Sequence, residues 1–166
     1  MKKSLPNASG DLFLLDEETV KAGCESALES PRKRIIFPIQ RTQDALVQRL
    51  INFMQPGTYI RPHKHPLAHA TETMKVLQGA IHFFIFDDQG AVIRHFPVSS
   101  KDQFGVLDIE PNVWHSFIVT RPDTVLLEIK KGPYDAATDK EFAGWSPDED
   151  TEESVVLLKK WSAYAG

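Results

Sequence analysis

A single cysteine, Cys24, stands among the 166 residues, so no internal disulfide can form and a reducing cytoplasm suits the chain. No apolar run approaches the roughly 20 residues that span a bilayer, and no membrane segment is expected. The opening Met1-Lys2-Lys3 is followed only by a short apolar stretch, Leu12 to Leu15, that runs into Asp16-Glu17-Glu18. That is too little for an export signal, so the expected location is cytoplasmic. Basic charge is also scarce. The net charge is -4 and Arg32-Lys33-Arg34 is the one dense basic run, so nucleic acid is not an expected partner. No phosphate-cradling glycine loop, dinucleotide fingerprint or Ser-His-Asp spacing occurs, which leaves those chemistries without support.

What remains is an ordinary globular composition, 42% hydrophobic and 25% charged, in a length that fits one domain with a real core. The expected organisation is a single domain over 1–166. Residues 1–50 hold an N-terminal helix and flanking strand, 51–131 a barrel core, and 132–166 a C-terminal loop and extension.

Residues 1–15 read as loosely ordered. Asp16 is a helix N-cap, and residues 17–29 place Val20, Cys24, Ala27 and Leu28 at near-helical spacing before Pro31 stops the helix. Residues 34–39 read as a strand, with Pro38 pointing to a sheet edge. Residues 45–54 fit both helix and strand periods, and the turn Gln55-Pro56-Gly57 favours a strand. Further strands are predicted near 58–64, 72–78, 80–87, 91–98, 104–109, 115–121 and 124–130. Turns at Gly79, Asp87 to Gly90, Pro111-Asn112 and Arg121 to Asp123 separate them. Many short strands with punctuated turns predict a mainly β sandwich or barrel. A loop with a helical turn is expected over 134–145, a solvated acidic run over Asp148 to Glu153, and a terminal helix or edge strand over 154–161.

Within this pattern His63 and His65 stand two apart, which puts both imidazoles on one face of a strand. Glu72 opens the next apolar run, and His115 arrives from a later strand. Three imidazoles and a carboxylate suit zinc, iron, nickel or copper better than magnesium or calcium. The residues fall into two motifs. Gly57, five residues, His63, Lys64, His65, then Glu72, six residues and Gly79 resemble the first cupin motif, G-x5-H-x-H-x3-4-E-x6-G, with a six-residue gap before the glutamate. Gly105, five residues, Pro111 and His115 resemble in part the second, G-x5-P-x-G-x2-H-x3-N. There the inner glycine is missing, the gap from proline to histidine is one shorter, and Val119 stands in place of asparagine.

Two longer phrases, Tyr59 to Pro66 and Glu128 to Ala143, resemble the WbuC family of cupin-fold metalloproteins. The resemblance implies a cupin-type double-stranded β-helix, or jelly-roll barrel, with an N-terminal helix and a short C-terminal extension. It implies one divalent transition metal, among zinc, iron, nickel and manganese, held by His63, His65, Glu72 and His115. It also implies a bacterial source, a link to surface-polysaccharide (O-antigen) biosynthesis, and dimers formed through edge strands.

Strand parity extends the site. If His63 and His65 face inward, so do Arg61 and Tyr59, while Lys64 faces out. An inward arginine needs an anionic ligand or a protein carboxylate, for which Glu128 is a candidate. Tyr59 either caps the barrel end or serves as an acid. His69 reads as a loop histidine, and His82 and His95 as satisfied or exposed histidines without partner spacing. Trp114 points away from the site, and Tyr134 and Trp145 flank a tail that covers the barrel mouth. A small anionic or sugar-derived ligand is expected. The residues do not separate a metal-dependent enzyme, a dioxygenase among them, from a non-catalytic binding or sensing module, and no catalytic residue is singled out.

Overall fold

The computed structural model describes residues 4–102 and 104–165. Two five-stranded antiparallel sheets face each other. The first runs in the order β1 (Arg34–Pro38), β2 (Val47–Met54), β9 (Thr124–Lys131), β4 (Glu72–Gln78) and β7 (Val106–Ile109). The second runs β10 (Glu141–Phe142), β3 (His63–Lys64), β8 (Trp114–Val119), β5 (Ala80–Phe86) and β6 (Val92–Ser99). This is the cupin-type jelly roll, with helix α1 (Glu17–Glu29) before it and α2 (Glu152–Ser162) after it. Among the described residues no helix is long and apolar enough to cross a membrane.

The period-2 patterns of the strands sort side chains into three cores. Between the sheets lie Met54, Met74, Val76, Ile81, Phe83, Phe117 and Leu126. The outer face of the first sheet packs Ile35, Ile51, Phe53 and Val125 against Cys24 and Ala27 of α1. Asp16 caps that helix, its carboxylate accepting from the Thr19 amide at 2.8 Å. Gly23 lets the helix approach, since a Cβ there would sit 2.5 Å from the Phe53 ring. The outer face of the second sheet packs Phe84, Phe86, Trp114 and Ile118 against Trp161 of α2.

Several expectations change. The strand expected over 58–64 shrinks to His63–Lys64, because Pro62 has no amide proton for a ladder and residues 58–62 pair with no strand. The opening segment is pinned to the edge strand β1, with Leu5 N bonded to Ile36 O at 2.8 Å and Ala8 N to Pro38 O at 2.9 Å. Residues 1–3 of that expected loose stretch lie outside the described residues. Residues 134–145 contain the short strand β10, and the terminal stretch is the helix α2. The acidic run is not simply solvated. Glu149 pairs with Arg32 at 3.0 Å and Arg34 at 2.6 Å, and Asp148 pairs with Arg61.

The barrel interior divides along its axis. Inward positions of β2, β4, β8 and β9 are apolar at one end. Toward the other they become Asn52, Glu72, His115, Glu128 and Lys130, which line a cavity of about 670 Å3.

Candidate metal centre

His63, His65, Glu72 and His115 converge at the buried side of this cavity, with one potential ligand atom from each lying within 4.8 Å of the others. His115 is 2% exposed and the other three 4%. His63 and His115 face each other in register across β3 and β8. Glu72 opens β4 opposite Lys130. Its Oε2 lies 3.1 Å from His65 Nε2 and 3.2 Å from His115 Nε2.

The two departures from the motifs have structural answers. The longer gap before Glu72 is taken up by a loop that carries His69, exposed and in left-handed conformation at φ 62°, outside the cluster. In the shortened turn before His115, Asn112 adopts φ 64° in place of a glycine, and its amide bonds to His65 O at 3.0 Å. Gly79 also needs its left-handed φ of 79°. A Cβ there would lie 2.3 Å from Thr124 Oγ1.

The donor set fits a metal ion at the level of ring nitrogens. His63 Nδ1 lies 2.9 Å from Arg61 O, His115 Nδ1 2.8 Å from Val113 O, and His65 Nδ1 bonds to Asp139 O. A carbonyl oxygen only accepts, so each Nδ1 carries the proton. Nε2 is then the atom that each ring, once neutral, offers a metal, and backbone bonds of this kind orient metal-binding imidazoles. Burial holds His63 well below the ordinary imidazole range, aided by the Lys140 and His115 charges, so the ring stays neutral as a ligand requires. Burial alone would raise the Glu72 carboxyl, yet hydrogen bonds from His115 and His65 hold it well below its ordinary value. It is therefore an anion.

The remaining predicted residues divide. Arg61 lines the cavity, but its guanidinium donates to Asp148, to Ser146 Oγ at 3.2 Å and to Ala143 O at 3.3 Å, and Glu128 is not its partner. Glu128 does face the cavity, where its Oε2 accepts from Asn52 Nδ2 at 3.0 Å. Burial pushes its carboxyl up, and the Glu72 charge adds to the effect. Tyr59 is a correction. It packs outside the barrel on Trp161, gives its hydroxyl proton to Pro147 O at 3.0 Å, and is pushed up to about 12 by burial. Parity fails at this point because residues 58–62 form no strand, so Ile60 and Arg61 in succession line the cavity. Lys64 lies outside the cavity, over the Trp114 ring at 4.3 Å and 3.3 Å from Glu141.

Sequence reasoning missed two tail residues. The Asp139 carboxylate holds Lys130 at 2.7 Å while its carbonyl fixes His65. Lys140 Nζ reaches within 3.4 Å of His63 Nε2. Both fall inside the phrase Glu128 to Ala143, which was the available signal. His82 and His95 also find partners: each other, with Nε2 and Nδ1 2.9 Å apart.

Solved structures with the same fold include the capsular polysaccharide assembling protein CapF from Staphylococcus aureus. It is 20% identical with a TM-score of 0.53, over 64% of this chain and 29% of that one. Oxalate decarboxylase from Bacillus subtilis is 13% identical with a TM-score of 0.50, over 66% of this chain and 27% of that one. The chain thus spans under a third of either structure, and the likeness is one of cupin fold. No curated protein matches the chain. A family model described as a domain of unknown function, DUF6016, matches residues 15–98, which cover α1 through most of β6 with His63, His65 and Glu72, and the chain belongs to that family.

Proposed function

We propose that this protein is a metal-dependent cupin enzyme acting on a small anionic or sugar-derived substrate. The observation that carries the reading is the way backbone carbonyls orient the three histidine rings. Each Nδ1 is tied to a backbone carbonyl, so the three Nε2 atoms and the Glu72 carboxylate meet beside an accessible cavity, where a metal would replace the protons that His65 and His115 share with Glu72. One divalent transition metal bound there would supply a Lewis acid to polarise a substrate oxygen.

The chain's own residues would do the rest. Glu128 projects into the same cavity with Asn52 fixing one of its oxygens, and a carboxyl that burial holds toward its neutral form can give or take a proton. Lys130, locked to Asp139, keeps that end of the cavity polar and rigid. Tyr134, Asp139, Lys140 and Phe142 of the tail form part of the cavity wall. The resemblance to WbuC proteins supports a place in bacterial surface-polysaccharide biosynthesis. That the similar fold of CapF belongs to a capsular polysaccharide assembling protein is in keeping with it.

Protein purified without chelating resin should hold about one transition metal per chain by elemental analysis. Carboxylates, sugar phosphates and nucleotide sugars are then offered to the loaded protein. Turnover of at least one, lost in Glu128→Gln with metal content unchanged, supports the enzyme. Tight binding without turnover across several reconstituted metals makes it a binding module instead.

A further inference from the structure

Five cationic side chains line the cavity, and four of them have carboxylate partners. Arg32 and Arg34 share Glu149, Arg61 has Asp148, and Lys130 has Asp139. Among the described residues no carboxylate lies within ion-pair distance of Lys140. Its Nζ sits instead 3.4 Å from His63 Nε2. Since His63 Nδ1 carries the ring proton, that contact is an ammonium donating to the lone pair that faces the metal position.

A metal ion bound through His63 Nε2 takes this lone pair away and leaves a dication beside an ammonium. The backbone at Lys140 cannot retreat easily. The preceding carbonyl, of Asp139, accepts from His65, and the Asp139 carboxylate grips Lys130. The following residues, Glu141 and Phe142, pair with β3, and Glu141 also holds Lys64 at 3.3 Å. Lys140 therefore stays over the metal position, and the cavity acquires an unbalanced positive pair. One negatively charged group with two oxygens removes the imbalance, placing one oxygen on the metal and one on the Lys140 ammonium.

We propose that Lys140 and the metal ion at His63, His65, Glu72 and His115 together bind one small oxyanion, a carboxylate or a phosphate. The proposal rests on the metal reading of the same site. It makes Lys140, rather than Arg61, the residue that selects an anionic ligand. Binding is reciprocal. The anion strengthens metal binding, and the metal strengthens anion binding, by the same factor.

The test uses the full chain stripped of metal and then loaded with Co2+, whose visible spectrum reports its coordination. Acetate and inorganic phosphate are titrated separately into the wild type, Lys140→Met and Lys140→Arg. In the wild type at least one of the two should perturb the cobalt spectrum saturably, and which one responds identifies the oxyanion. Lys140→Met should bind that anion at least tenfold more weakly, while binding Co2+ alone more tightly because the nearby ammonium is gone. Lys140→Arg should keep the anion within a few-fold. Equal anion affinity in the wild type and Lys140→Met overturns the proposal, as does a cobalt-loaded wild type that responds to neither anion. Failure of the wild type to take up Co2+, read before any anion is added, overturns the metal reading itself.

Discussion

On the inner face of the second sheet, His63 and His115 face each other across β3 and β8, and each ties its Nδ1 to the carbonyl two residues back in its own chain. On the outer face, His82 of β5 and His95 of β6 bond to each other at 2.9 Å, beside Phe84 and Tyr164. The side chains are the same and the sheet is the same. What differs is the partner of the second ring nitrogen. A backbone carbonyl on Nδ1 sets the tautomer and leaves Nε2 free for a ligand role, whereas the outer pair uses one ring as donor and the other as acceptor. The inner group also has Glu72 between its rings, and the outer pair has aromatic neighbours.

The sharpest way to break this contrast is by metal content. His63→Ala with His65→Ala should reduce the bound metal from about one per chain to almost none while the β circular dichroism persists. His82→Ala with His95→Ala should leave the metal in place. Metal loss from the outer double variant would erase the distinction.

A packing change on the outer face should have the opposite profile. Trp161 is 2% exposed and stacks on Phe84 at 5.4 Å and Tyr59 at 6.0 Å. Trp161→Ala should destabilise the fold by about 3–5 kcal/mol in urea titration, with metal stoichiometry unchanged in the folded protein. A loss of metal at equal folded fraction would show that the outer face supports the site after all.

Charge sharpens the comparison further. The fold holds the Glu128 carboxyl above its ordinary 4.5, so ionising it opposes folding. That penalty is absent well below pH 4.5 and grows as pH rises through the range where only the unfolded chain ionises readily. Metal-free Glu128→Gln should therefore be more stable than the wild type near neutral pH and equal to it in acid, as read by thermal melts across pH. A variant less stable at neutral pH would mean that the ionised form is what the fold prefers.

The smallest effect belongs to His82, whose ring burial, with His95 beside it, lowers below 6.5. The unfolded chain then takes up a proton before the fold does. The stabilisation is complete above pH 6.5 and declines as pH falls through the lowered folded value. Melting temperatures of His82→Gln should depend less on pH than those of the wild type between pH 7.5 and 5.5. An unchanged slope would remove the outer pair as a titrating element.

Local chemistry made much of this legible in the sequence. Asp16, the apolar spacing of Val20 to Leu28 and Pro31 delimit α1, and the alternation with turn residues marks most strands. The spacing of His63 and His65, with Glu72 and His115, points to the four side chains that converge. What stayed hidden depends on partners far along the chain. No local period shows that Arg32, Arg34 and Arg61 meet Glu149 and Asp148, or that residues 58–62 find no strand to pair with and so turn Tyr59 outward. The two-residue β10 is too short for any period, and Lys140 beside it acquires meaning only from its place over His63. The outer pair was within reach. His82 and His95 share a face of one hairpin, with His95 opposite Phe84 in register.

The pairing of β10 with β3 has a consequence for the order in which the protein is made. All four converging side chains lie between residues 63 and 115, and the tail that fixes the His65 ring and carries Lys140 begins only at residue 139. At about 5–20 residues per second, translation separates the last of the four from that tail by roughly 1–5 seconds. During this interval the His65 ring lacks its carbonyl partner and is free to turn. β9, which joins β2 to β4, is made in the same interval, so all four donors are synthesised before the strand that closes their sheet and before the segment that orients His65, and residues that ligate nothing complete the site.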